Sequence, residues 1–319
     1  MTKAVSRRSA DKIRLDLFSL RRFEALLRTP IDQIEAVAEK AGAYYSPFIA
    51  SPSRRWFPKE PIAKRPRKID NPLDPLKDLQ RKILSGLLES IQLPEHVKGG
   101  VSGRSLIHNI ELHRHSRVLV TLDVKSFFRS ITSKQVYHIW RQQLNCSPKI
   151  SSLLTKLTTF EGHLPEGAPT STYLANLMLT SIEGEIVDAC ALAGVRYSTW
   201  VDDLAFSGSN APNVINTAVA ALQRAGLAVS HKKLKVMRPG ARRVLNGILI
   251  GERLNLPANY RKGVRSGIFK LRDGQVPSAF FESYVRSIKG RIDYIFRINE
   301  KLGSRLRDEF ESAVQAARL

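Results

Sequence analysis

Apolar positions recur along this chain at two spacings, and the switches between them mark its elements. "RLDLFSLRRFEALLRTPIDQIEAVAEKAG" has the three- and four-residue spacing of two short helices, the second starting at Thr29-Pro30. In "SPSRRWFPKEPIAKRPRKIDNP" the prolines oppose helix, so extended strands and loops are expected from Ser51 to Pro72. Leu76, Leu79, Ile83, Leu87 and Ile91 return to helical spacing. "RVLVTLDVKSFFRSI" opens on a β-branched apolar run and predicts a buried strand ending near Asp123. "SKQVYHIWRQQL" and "KISSLLTKLTTF" predict helices, and "TSTYLANLMLTSIEGEIVDACALAG" predicts a single long one. "YSTWVDDLAFSG" reads as a strand, a turn from Val201 to Leu204 and a second strand. "VINTAVAALQRAGLAV" is an amphipathic helix with Gly226 as its C-cap, and "RRVLNGILI" reads as a strand. Beyond Pro257 the pattern is helical, with Phe281, Tyr284, Val285, Ile288, Ile292 and Ile295 on roughly one face. The class expected is α+β in the middle with helical ends.

Composition adds a partner to this outline. Of 319 residues 43% are hydrophobic and 25% charged, as in a folded globular protein. Fifty-one Lys and Arg against 29 Asp and Glu leave +22, a self-repulsion that a polyanion would offset. Nucleic acid is the leading candidate, and a phosphate-rich membrane surface is the alternative. The charged N-terminus has no signal-peptide core, and no run approaches a membrane span. Cys146 and Cys190 lack metal-site spacing, so buried thiols in a reducing, cytoplasmic setting are expected. No internal repeat is visible.

In so basic a chain, acids inside apolar strands need explaining. Asp123 ends "VLVTLD", and Asp202-Asp203 interrupts a strand pair 79 residues later. Buried carboxylates are costly unless paired or metal-bound, and clustered ones ionise together readily only around cations. Mg²⁺ accepts oxygen ligands and leaves positions for water and phosphate. Between the acids, "HLPEGAPTSTYLANL" is a small-residue loop opening into a helix, which lets a flat ligand approach the backbone closely.

The order "LDVKSFF", "LPEGAPTSTYLANL", "WVDDLAFSG", "GLAVSHKKLKV" and "VLNGILI" resembles the palm motifs of reverse transcriptases, and most closely those of the bacterial retrons. The family patterns look like LDxxxFF, LPQGAPxSPxLANL, YxDDL, GLxxxxxKT and VTG. "SLIHNIELH" places Asn109 and His113 where the family has NAxxH. The resemblance covers roughly residues 64 to 252. It implies a right-hand polymerase: an N-terminal helical segment over 1–50, fingers over 51–118, a palm with antiparallel sheet over 119–252 and a helical thumb over 253–319. It implies Asp123, Asp202 and Asp203 as catalytic ligands of two Mg²⁺ ions, with Mn²⁺ as a substitute. Arg67, in "KRPRKI", would grip the triphosphate, with Lys64, Arg65 and Lys68 as basic neighbours. Phe128 would pack under the sugar and exclude a 2′-OH, Gly167 and Ala168 would lie under the templating base or incoming nucleotide, and Lys233 would contact phosphate or protonate pyrophosphate. Trp200, Asn246 and Gly247 would touch primer and template.

Several positions depart from the patterns: Trp200 for Tyr, Glu166 for Gln, Thr172 for Pro, Leu245-Asn246-Gly247 for VTG, and Ile110 for Ala. A carboxylate at 166 would oppose a triphosphate unless protonated, turned away or paired with Lys or Arg. From His231 to Ile250 there are six Lys or Arg and no acid, and from Ala258 to Leu319 thirteen against seven. Such surfaces suit phosphate contacts, with Asn109, His113, Tyr260, Arg261, Arg265, Arg286 and Arg291 as RNA-binding candidates. The resemblance further implies dNTPs, a cognate structured noncoding RNA and its branched RNA–DNA product, an effector protein encoded nearby, a role in phage defence, and no membrane partner. The alternatives are group II intron, diversity-generating or abortive-infection reverse transcriptases, or a noncatalytic RNA-binding scaffold.

Overall fold

The computed structural model describes residues 14–50 and 66–318; most of the basic stretch expected to be extended, including Lys64 and Arg65, lies outside the described residues. Two compact units divide the described residues, one gathering 14–50, 67–109 and 116–236, the other 110–115 and 237–318.

In the first unit, α1 (Leu20–Leu27) and α2 (Ile31–Glu39) precede a hairpin of β1 (Tyr45–Ala50) and β2 (Arg67–Pro72). Then come α3 (Leu76–Ile83), α4 (Leu106–His113, whose residues are shared between the two units), β3 (Leu119–Asp123), α5 (Phe127–Ser130), α6 (Ser133–His138) and α7 (Pro148–Thr158). The unit continues with α8 (Ser171–Ile182), α9 (Gly184–Ala193), β4 (Arg196–Trp200), β5 (Asp203–Ser207), α10 (Ile215–Arg224) and β6 (Lys235–Met237). Local signals start several helices: Ser19 caps α1, Ser147 with Pro148 opens α7, and Thr132 with Gln135 forms a capping box on α6.

One four-stranded sheet, in the order β4-β5-β3-β6, carries the acids. β3 and β5 are antiparallel, as are β4 and β5. Leu119, Val120 and Leu122 are all buried, which is why β3 reads as a continuous apolar run with no alternation. In the core α8 buries Tyr173 to Leu179 without a gap, as a helix apolar all round must. Phe23 and Phe206 are fully buried, each contributing ~2–3 kcal/mol.

Three expectations change. The long helix is interrupted at Glu183, between α8 and α9 and just before Gly184, and that buried carboxylate accepts from Tyr197 Oη at 3.0 Å and lies 2.6 Å from His96 Nε2. The turn between β4 and β5 is tighter than expected, only Val201 and Asp202, with Asp203 already in β5. "RRVLNGILI" folds as two short strands.

Those strands, β7 (Val244–Leu245) and β8 (Ile248–Leu249), belong to the second unit. Asn246 (φ 46°) and Gly247 (φ 82°) both adopt the left-handed conformation that a two-residue hairpin turn demands. α11 (Ala258–Arg272), α12 (Phe281–Ile298) and α13 (Glu300–Arg318) follow. Tyr284, Ile288, Ile292 and Ile295 are buried along α12, as the spacing predicts, while Phe281 and Val285 are half-buried. Gly303 lets α13 approach α12: a Cβ there would stand 2.3 Å from Phe296 Cα. Both cysteines are free and buried. Among the described residues no helix is long and apolar enough to cross a membrane.

Candidate active site

Strand register gathers the acids. Asp123, the last residue of β3, stands opposite Asp203, the first of β5, and Trp200 stands opposite Asp203 on the other side. Asp202 lies in the turn, and Val124 N donates to its carbonyl at 3.0 Å. The turn is strained, since Val201 is β-branched and sits at φ 57°. Past Asp123 the chain pairs with residues 228–230: Lys125 N donates to Ala228 O at 2.7 Å, and Ser230 N to Asp123 O at 2.8 Å. A turn closed by Lys233 N on Ser230 O at 2.9 Å then brings Lys233 back, and its Nζ lies 2.5 Å from Asp123 Oδ1. The Asp123 carboxylate is only 10% exposed, so this ammonium is its counter-charge.

Asp202 is half-buried. Burial, and then the charge of Asp123, hold its carboxyl above the usual carboxylate range, against the lowering effects of its own backbone N–H, Lys233 and Arg67. Among the described residues no three His, Cys, Asp or Glu side chains already stand as a ligand set. The donor chemistry nevertheless fits a hard divalent cation: the three acids offer only oxygen, and Asp123 already binds a cationic group.

A pair of glycines missed in the sequence supports the turn from behind. Lys98 N donates to Thr199 O at 2.8 Å and Thr199 N to His96 O at 2.9 Å, laying residues 96–99 along β4. A Cβ on Gly99 would come within 2.7 Å of Val201 N, and one on Gly100 within 2.2 Å of Thr172 Cγ2. Asn176 of α8 donates to Gly99 O at 2.9 Å. Thr172, at the position where the family favours Pro, therefore packs on Gly100. The signal in the sequence was the adjacent pair in "VKGGVSG".

The small-residue loop sits against β2. Asp70 N donates to Glu166 O at 2.8 Å, and a Cβ on Gly167 (φ 132°) would lie 2.9 Å from Ile69 Cγ2. Ala168 is buried behind it. Glu166 Oε1 is 3.4 Å from Arg67 Nη1, so of the three ways to accommodate this carboxylate the structure uses pairing. Asp70, also missed, is fully buried and meets Arg129 Nη2 at 3.3 Å, His163 Nε2 at 3.5 Å and Lys68 Nζ at 4.0 Å. Arg129 directly follows Phe128, which is half-buried with its ring 5.7 Å from that of Phe127.

The remaining candidates lie on other elements. Asn109 is buried and accepts a hydrogen bond from Ser198 Oγ at 2.6 Å, and His113 is fully buried; neither presents a surface to RNA. In the second unit Asn246 and Gly247 form the hairpin turn, Arg291 lies 5.5 Å over the Tyr260 ring, and Arg261 Nε donates to Leu256 O at 3.1 Å. Arg265 and Arg286 are exposed.

Residues 57–265 match the family described as reverse transcriptase (RNA-dependent DNA polymerase). The chain is 34% identical over 144 residues to the retron Se72 reverse transcriptase of Salmonella heidelberg (strain 579083-10), covering 45% of this chain but only 38% of that protein. It is 26% identical over 247 residues to the retron Ec86 reverse transcriptase of Escherichia coli, covering 76% of this chain and 75% of the relative. With the retron Ec83 reverse transcriptase of Escherichia coli it shares 23% over 304 residues, 89% of this chain and 96% of the relative. The chain belongs to the reverse transcriptase family, and it is of the retron type.

Proposed function

We propose that the protein polymerises DNA on an RNA template with Asp123, Asp202 and Asp203 as its catalytic carboxylates. The register that sets Asp123 against Asp203, with Asp202 in the adjoining turn, carries this reading. The three would hold two Mg²⁺ ions, or Mn²⁺ in their place, which when bound supply charge neutralisation at the triphosphate and activation of the primer 3′ oxygen. Arg67 binds the triphosphate, over a floor of Gly167 and Ala168. Phe128 packs beneath the sugar and excludes a 2′-OH. Lys233 contacts phosphate and sits to give a proton to the departing pyrophosphate. Trp200 stacks at the primer end, with Asn246 and Gly247 as further primer and template contacts.

In this reading the architecture is a right hand, with an N-terminal helical segment over 1–50, fingers over 51–118, palm over 119–252 and thumb over 253–319. The exposed Arg265 and Arg286 join Tyr260, Arg261 and Arg291 in holding a cognate structured noncoding RNA. Synthesis starts from a guanosine 2′-OH of that RNA and yields short branched RNA–DNA in the bacterial cytoplasm. With a neighbouring effector protein, the product complex serves phage defence.

The test is incorporation of dNTPs on primed RNA by a variant carrying Asp202→Ala and Asp203→Ala, with its fold checked by circular dichroism. Incorporation is expected to vanish while the spectrum is kept. Undiminished incorporation would refute the assignment.

A further inference from the structure

Glu166 places a carboxylate where the family usually has an amide, and the surrounding contacts give it a partner. Its main-chain oxygen accepts from Asp70 N at 2.8 Å, and Gly167 leaves no room for a Cβ against Ile69. The loop is thereby seated on β2, three residues from Arg67, and the Glu166 carboxylate reaches the guanidinium at 3.4 Å. Along the same strip Lys68 pairs with Glu161 at 3.5 Å and Arg129 with Asp70 at 3.3 Å. Three cations thus meet three carboxylates in a chain whose net charge is +22. Positive charge is in excess over the whole molecule, and among the described residues these three cations of the strip are each matched by a carboxylate.

We infer that Glu166 is a positioning residue that holds Arg67 as an internal substitute for phosphate, so that an incoming nucleoside triphosphate binds by displacing a carboxylate from the guanidinium. This rests on the reading of Arg67 as the triphosphate-binding arginine. Arg67 is 54% exposed and Glu166 28%, so the pair is weak and reversible. It therefore raises the nucleotide concentration the enzyme needs and does not block the site. Being exposed, it is also screened by salt.

The test compares full-length E166Q, R67A and the double variant in steady-state dNTP incorporation on primed RNA, at low and high salt. E166Q is expected to lower the dNTP KM about three- to fivefold at low salt, with kcat moving less. The gain shrinks at high salt and disappears in the R67A background, where KM is raised. A KM for E166Q at or above the parent's, or a gain that persists in R67A, overturns the inference and leaves the role of Arg67 standing. An R67A enzyme with the parent's KM overturns the role of Arg67 and the inference together. If E166Q does not polymerise, the same order is read from the stability of its dNTP complex on a dideoxy-terminated primer. A complex no tighter than the parent's then overturns the inference.

Discussion

Lys233 Nζ lies 2.5 Å from Asp123 Oδ1, an exposed ammonium holding a buried carboxylate. A divalent cation at the same acid would supply the charge that Lys233 supplies without it. Lys233→Met should therefore cost about 1–3 kcal/mol in metal-free buffer, above an exposed pair because it leaves a buried carboxylate uncompensated. Added Mg²⁺ should raise Tm more in the variant than in the parent. Equal gains would show that Asp123 does not exchange one cation for the other.

Gly99 ties a loop outside the acid cluster to the turn within it. Gly99→Ala places a methyl 2.7 Å from Val201 N, a backbone contact that only a shift of the turn can relieve. The expected cost is about 1–3 kcal/mol, with incorporation falling further than the folded fraction. Gly42→Ala is the control, because nothing lies within 4 Å of a Cβ there. Parallel losses of stability and activity in Gly99→Ala would deny the turn any special sensitivity.

Glu183→Ala removes the common partner of His96 and Tyr197. The buried groups left behind should cost about 2–4 kcal/mol, read from the midpoint of urea unfolding. Tyr197→Phe loses one hydrogen bond and should cost about 1 kcal/mol. A larger effect for Tyr197→Phe than for Glu183→Ala would remove Glu183 as the centre of this group.

Burial pushes the Cys146 thiol up to about 12 and the Cys190 thiol to about 11, from an ordinary 9.0. The folded chain thus keeps protons that the unfolded chain releases from about pH 9 upward. This contribution to stability is intact below pH 9 and is lost as pH rises through 11 and 12. Ellman's reagent at pH 8 should find no thiol in the native protein and two after denaturation. Rapid native labelling would contradict the burial.

The acid edge was legible because each of its parts is local: a carboxylate closing an apolar β-branched run, and two more between strands. The answering charges were not. Glu166 lies 99 residues from Arg67, Arg129 lies 59 from Asp70 and Glu183 lies 87 from His96, and no periodicity links such positions. The break at Glu183 was harder to read because helical spacing runs through it without proline; the one local signal is Gly184, directly after it. Asn246-Gly247 differs, since the dipeptide is itself a hairpin signal, but β-propensity over "RRVLNGILI" reads as one strand.

Asp70 is fully buried in β2, and Arg129, its partner, follows Phe128 in α5, the short helix after β3. The strand bearing Arg67 and the helix bearing Phe128 are therefore fastened to one carboxylate. For anyone recombining this enzyme with a relative, residues 67–72 and 123–130 form one unit of exchange. A chimaera with its crossover between them inherits an acid without its guanidinium, or a guanidinium without its acid.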